Sequence, residues 1–182
     1  MTALKSLTLR VAAIRCRAMI LTLHSGGIRS CELAALNLRD VHVSGRLLRI
    51  MGKGRRERMV RISGNCLQAI QYYAEHWRTR YCVPGNPALF IKINGQRIGR
   101  NSASKLLAKL SARLGVTHTT AHTLRRTLAT QLMNAGETVQ SVQAILGHQS
   151  ISATERYLAM SLGRLRTVYR DCHPREQIDF GE

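Results

Sequence analysis

The stretch His122-Thr123-Leu124-Arg125-Arg126-Thr127-Leu128-Ala129-Thr130 sets leucines four residues apart, and Leu132 continues the stripe to Gly136. That spacing predicts an amphipathic helix with an apolar face for a core and a glycine to end it. His122 and Arg125, three residues apart, share one side of such a helix. Upstream, Leu106, Leu107, Leu110 and Leu114 form an equivalent stripe within a pattern that is helical from Asn101. Downstream, Val139, Val142, Ile145 and Leu146 form a third, ending at Gly147. These leucines are expected in the core. A further helix is expected to hold Tyr157, and the basic tail Arg164 to Arg170 reads as helical until His173-Pro174 stops it.

The first half of the chain mixes periods. Apolar residues from Leu4 to His24 recur at helical spacing, and Ser25-Gly26-Gly27 supplies a helix end. A short helix is expected from Ser30 to Leu36. The runs Val41 to Val43, Leu47 to Met51 and Met59 to Ile62 read as strands joined by turns at Ser44-Gly45 and Gly52-Lys53-Gly54, which makes a small antiparallel sheet. Ser63 can cap a helix bearing Leu67, Ile70, Ala74 and Trp77 on one face, broken afterwards by Val83-Pro84-Gly85-Asn86-Pro87. No repeat, low-complexity tract or interdomain linker interrupts the pattern.

At 182 residues the chain fits one ordinary domain. Its formal charge of +18 comes mostly from arginine, which grips phosphate with a fork of donors, so nucleic acid is the expected partner. Anionic lipid or RNA would satisfy the same charge, and only motifs decide between them. The five cysteines, Cys16, Cys31, Cys66, Cys82 and Cys172, contain no C-x-x-C pair and read as thiols of a cytosolic protein. Arg10, Arg15 and Arg17 interrupt the first apolar run, so it reads as a helix of the domain rather than a leader or membrane span. With ten carboxylates and no close acidic cluster, a two-metal nuclease is disfavoured. His118 and His122 have ligand spacing but no evident third ligand, so no metal or other cofactor is expected.

Further motifs extend the pattern. Gly27-Ile28-Arg29-Ser30-Cys31-Glu32-Leu33, Gly52-Lys53-Gly54-Arg55-Arg56-Glu57-Arg58, the His122 to Thr130 box, Leu146-Gly147-His148 and Tyr157 follow one another, and Leu165 to Arg175 closes the chain. In this order and spacing they resemble the catalytic domain of the tyrosine recombinases, the phage-integrase family, with an ending similar to its Xer-like branch. The resemblance implies a mainly helical α+β fold with a small antiparallel sheet, and a site of Arg29, Lys53, His122, Arg125, His148 and Tyr157. Such a protein breaks DNA without metal or ATP. Tyr157 becomes joined to the 3′ phosphate, His122 accepts its proton, and His148 donates a hydrogen bond to the phosphate.

The chemistry gives the remaining groups their roles. A phosphodiester under attack gathers charge on its nonbridging oxygens, which Arg29 and Arg125 would clamp if they converge; losing one clamp would cost on the order of 10²-fold in rate. A phenol with an ordinary pKa near 10 needs a base or a cationic pocket to react at neutral pH. Lys53 on its glycine turn would protonate the departing 5′ oxygen. Tyr72, Tyr73, Tyr81 and Tyr169 also carry phenols, but none follows a histidine box, and they read as core or rim aromatics. Glu32 is expected to position its neighbours or cap locally rather than react.

Two departures from the family pattern stand out. Arg126 follows the box arginine where the family often has histidine. Family members also usually carry an amino-terminal core-binding domain, whereas residues 1–182 are expected to form the catalytic domain alone. The resemblance implies duplex DNA as partner, a homotetramer on two DNA sites, carboxy-terminal exchange between protomers, no membrane association, and a cytoplasmic, nucleoid-associated location. A type IB topoisomerase, a noncatalytic DNA-binding regulator on the same fold, and an RNA-binding protein remain the alternatives.

Overall fold

The computed structural model describes residues 2–52 and 57–146, with side chains from residue 13 onward. The chain begins with a long helix, α1 (Thr2–Gly26), around which the rest assembles. Helix α2 (Ser30–Ala35) follows after a three-residue turn, and a 3-10 turn (Leu38–Asp40) leads into the sheet. Strands β1 (Val41–His42), β2 (Leu47–Met51) and β3 (Glu57–Arg61) are antiparallel in the order β1-β2-β3. Their register pairs Val41 with Leu48, Leu48 with Val60, and Ile50 with Arg58. Directly opposed residues share a sheet face, so buried Leu48, Ile50 and Val60 define the inner side.

Helix α3 (Gly64–Tyr73) is capped as expected, with Ser63 Oγ accepting the Cys66 N–H at 3.2 Å. A π-helical turn (Ala74–Arg78) carries it into α4 (Thr79–Tyr81), so that Leu67, Ile70 and Trp77 are buried on one side. The extended segment after it is pinned by side chains. Arg78 donates to the carbonyls of Ala88 and Asn86 at 2.7 and 2.6 Å, and Arg97 to those of Ala34 and Leu36, both at 2.9 Å. Helices α5 (Ser102–Leu114), α6 (Ala121–Asn134) and α7 (Val139–Leu146) complete the described chain.

The main core gathers α1, α2, the sheet, α3, Ala88 to Ile91 and α5. A smaller cluster of Leu128, Leu132, Val142, Ile145 and Leu146 joins α6 to α7. Among the described residues no helix is long and apolar enough to cross a membrane. The expected mainly helical α+β architecture with a small antiparallel sheet is therefore observed.

Two positions correct the expected core. Leu114 is 71% exposed and Val139 49% exposed, although each lies on the same side of its helix as buried residues seven positions away, Leu107 and Leu146. Both are terminal residues of their helices. Periodicity settles which side a residue faces; how far along the helix its neighbours reach is a separate, three-dimensional matter.

Candidate active site

The turn between α1 and α2 begins the site. Gly27 has φ +56, and a Cβ there would stand 2.6 Å from Leu146 Cδ2 and 3.0 Å from Leu128 Cδ2. Only glycine lets α6 and α7 close onto this turn without displacement. Ile28 is fully buried and anchors the turn, while the Arg29 side chain remains 49% exposed.

Arg29 caps α2, and Glu32 three residues later folds back on it. Glu32 Oε2 accepts the Arg29 backbone N–H at 2.8 Å, and Oε1 accepts Arg29 Nη1 at 3.1 Å. From β3, Arg58 meets the same carboxylate with a fork, Nη1 to Oε1 and Nη2 to Oε2, both at 2.8 Å. The Glu32 side chain is only 4% exposed. Burial pushes its carboxyl upward, but the Arg58 bonds, the Arg29 backbone N–H and the two positive charges together hold it below its ordinary value. The expected positioning and capping role of Glu32 is what the contacts describe.

Arg125 comes from the middle of α6, whose N-terminus is set by Thr120 Oγ1 accepting the Thr123 N–H at 3.0 Å. Its guanidinium is buried and donates from Nη1 to the Gly27 carbonyl at 2.7 Å and from Nη2 to the Leu146 carbonyl at 2.6 Å. One side chain thus ties the α1–α2 turn, α6 and the end of α7. Burial, then the nearby charges of Arg29 and Arg58, lower its pKa to about 10 against the opposing pull of Glu32. It therefore stays cationic at neutral pH. Arg29 and Arg58 both pair with the Glu32 carboxylate, and Arg125 lies near enough to feel the charge of all three.

His122 lies on the exposed side of the first turn of α6, followed four residues later by exposed Arg126. Lys53, His148 and Tyr157 lie outside the described residues, as does Tyr169. Arg29 and Arg125 are thus brought together, with His122 on the same helix as Arg125. Among the competing phenols, Tyr73 is buried, its oxygen accepts the Ile91 N–H at 3.0 Å, and burial drives its pKa up to about 12, which disqualifies it as a nucleophile. Tyr72 is exposed and stacks on His76, and Tyr81 packs against Trp77. Cys66 is equally inert, a buried thiol pushed up to about 12.

Sequence reading gave no role to Arg58 or to the pinch at Gly27. Arg58 had a legible signal, because it is two residues from Val60 and so occupies an inward position of β3, where an arginine needs a carboxylate. The close approach at Gly27 involves residues about one hundred positions away and left no local sign.

The site thus joins Arg29, at the start of α2, to Arg125 of α6 within a mainly helical domain that carries a three-stranded sheet. Residues 1–163 match the phage integrase family, and the chain belongs to that family. A tyrosine recombinase XerC from Pelobacter propionicus is 37% identical over 163 residues, covering 89% of this chain and 53% of that protein. The XerC of Vibrio parahaemolyticus is 35% identical over 173 residues, covering 93% and 55%. The chain spans about half the length of the curated relatives it matches. Among solved structures, the XerA recombinase superposes with a TM-score of 0.69 at 28% identity, over 91% of this chain and 61% of that one. The XerH recombinase in a post-cleavage complex with its difH substrate shares the fold with a TM-score of 0.65 at 22% identity, over 88% and 46%.

Proposed function

We propose that this chain is the catalytic part of a site-specific DNA recombinase that cuts and rejoins duplex DNA through a 3′-phosphotyrosyl intermediate. The observation that carries this reading is the buried Arg125, held by the Gly27 and Leu146 carbonyls beside Arg29 and its Glu32 brace. Two guanidinium groups so placed would neutralise the charge that gathers on the nonbridging oxygens as phosphorus is attacked.

In this mechanism the Tyr157 oxygen attacks phosphorus while His122 takes the phenolic proton. The bond from phosphorus to the 5′ oxygen breaks, and Lys53 supplies the proton that makes the leaving group a hydroxyl. His148 donates a hydrogen bond to the same phosphate. The phosphotyrosyl ester keeps the energy of the broken bond, so a 5′ hydroxyl from a second duplex can attack it, release Tyr157 and complete strand exchange. Repetition on the other strands passes through a four-way junction and calls for four protomers on two sites, with carboxy-terminal exchange as a means of joining them. The XerC relatives and the net charge of +18 support duplex DNA as the substrate. A cytoplasmic, nucleoid-associated location follows from that substrate.

The test incubates wild-type protein and Tyr157→Phe with a pool of nicked suicide duplexes and looks, after a detergent quench, for protein covalently attached to DNA. An adduct in wild type alone, through a 3′ phosphotyrosyl link, is the expected result. An adduct in both would remove Tyr157 as nucleophile, and duplex binding without any adduct would favour the noncatalytic regulator or a catalytic domain that needs a core-binding domain, which adding such a domain would decide. Supercoil relaxation with no recombinant product would favour a type IB topoisomerase.

A further inference from the structure

Arg58 is not among the residues given a chemical role above, yet its placement is specific. It stands at the inward face of β3 opposite Ile50, only 16% exposed, and both of its terminal nitrogens go to the two oxygens of Glu32. Its Nε–H is buried and has no acceptor among the described residues, so there the fork is directed to Glu32 alone. Each Glu32 oxygen then receives one further donor, the backbone N–H of Arg29 on Oε2 and Nη1 of Arg29 on Oε1. The carboxylate is thereby divided between two arginines, one buried against the sheet and one half exposed at the site.

We propose that Arg58 is a positioning residue: by fixing both oxygens of Glu32 it sets the direction of the Arg29 guanidinium and ties the Arg29 arm of the phosphate clamp to β3. The proposal rests on the recombinase reading above. Simple neutralisation of Glu32 would need only a positive charge. A planar fork does more, because it fixes the rotation of the carboxylate as well as its charge. Arg29 is a long side chain, 49% exposed, and among the described residues its guanidinium hydrogen-bonds to Glu32 alone. Misplacing a positioned group by about 1 Å can cost on the order of 10²-fold in rate.

The discriminating variant is Arg58→Lys, which keeps the charge beside buried Glu32 and removes the fork. Single-turnover adduct formation is measured on a suicide duplex with an ordinary scissile phosphate and on one carrying a methylphosphonate there. The methyl group removes the negative charge that the clamp serves. Arg58→Lys is expected to react roughly 10–100-fold more slowly than wild type on the phosphate, with duplex affinity little changed, and to close most of that gap on the methylphosphonate. An equal deficit on both linkages would mean a merely structural role and would overturn the proposal.

A second readout does not depend on cleavage. The Arg29 Nη1–H resonance, assigned with Arg29→Lys, is expected to be resolved in wild type, where Nη1 donates to Glu32 Oε1, and averaged in Arg58→Lys. An unchanged resonance would overturn the proposal. Absence of any wild-type adduct on either linkage would instead remove the recombinase reading, with the resonance still deciding whether Arg58 orders Arg29. Should Arg58→Lys fold poorly, Glu32→Gln/Arg58→Met removes both buried charges together and is held to the same two criteria.

Discussion

Replacing Gly27 with alanine puts the pinch between the α1–α2 turn and the α6–α7 pair to a quantitative test. At φ +56 an L side chain meets its own backbone, costing about 1–2 kcal/mol. The new Cβ would also stand 2.6 Å from Leu146 Cδ2 and 3.0 Å from Leu128 Cδ2, and both leucines are buried in the smaller core cluster. Forcing such a core to move costs about 1–3 kcal/mol. The two effects together predict a loss of about 2–5 kcal/mol, or a fall in Tm of about 4–20 °C for a domain of this size. Urea unfolding followed by the fluorescence of Trp77, the only tryptophan, reads the change directly. Gly26→Ala is the control. Its Cβ would lie 3.3 Å from Ile28 Cγ2 and 3.4 Å from Val60 Cγ1 with no positive φ, so it should stay within about 1 kcal/mol of wild type. A Gly27→Ala loss below about 1 kcal/mol, or one equalled by Gly26→Ala, would refute the pinch. Because the Leu146 carbonyl also holds Arg125, adduct formation by Gly27→Ala should fall further than the folded fraction explains.

Arg125→Lys carries the same surroundings to a weaker base. Burial and neighbouring charges that lower Arg125 from 12.5 to about 10 would act on a lysine in the same direction, starting from an ordinary value already near 10.4. The wild-type to Arg125→Lys ratio of adduct-formation rates should therefore widen from pH 7 to 9.5, as the lysine loses its charge while Arg125 keeps most of its own; a constant ratio would rule this out. For Glu32 the folded value lies below the ordinary 4.5, so its contribution to stability is present above that pH and is lost as pH falls through the folded value. Urea midpoints of wild type should drop on acidification below about 4.5, whereas Glu32→Gln should start lower at neutral pH and lack that part of the decline. Parallel acid limbs for the two proteins would contradict the assignment.

Elements with a local cause were legible in the sequence. The leucine spacing of α6, the Ser63 cap of α3 and the glycines after α1 act within a few residues, and each element was found where its pattern lay. The strand boundaries differed only at their ends, with β3 running Glu57–Arg61 rather than beginning at Met59. Leu114 and Val139 were misplaced because a stripe continues to the end of a helix whether or not a neighbour covers it. In the site, Arg29, His122 and Arg125 were recognised as residue types in order. The hydrogen bonds of Arg125 were not foreseeable, since its two acceptors are backbone carbonyls 98 and 21 residues away and a carbonyl has no sequence identity.

The sequence by itself therefore determined the described helices and the antiparallel strands, because capping, turn formation and periodic burial depend on near neighbours; the expected helix around Tyr157, the helical tail Arg164 to Arg170 and the Gly52-Lys53-Gly54 turn lie outside the described residues. Only the tertiary structure decided that Arg125 is buried as a tie between the Gly27 turn and α7, that Tyr73 is a core phenol, and that Arg58 shares Glu32 with Arg29. Those outcomes depend on which distant backbone and carboxylate groups packing brings within about 3 Å. In a chain with 28 basic and ten acidic residues, most arginines have no carboxylate to claim. Packing alone selects the arginine that receives one.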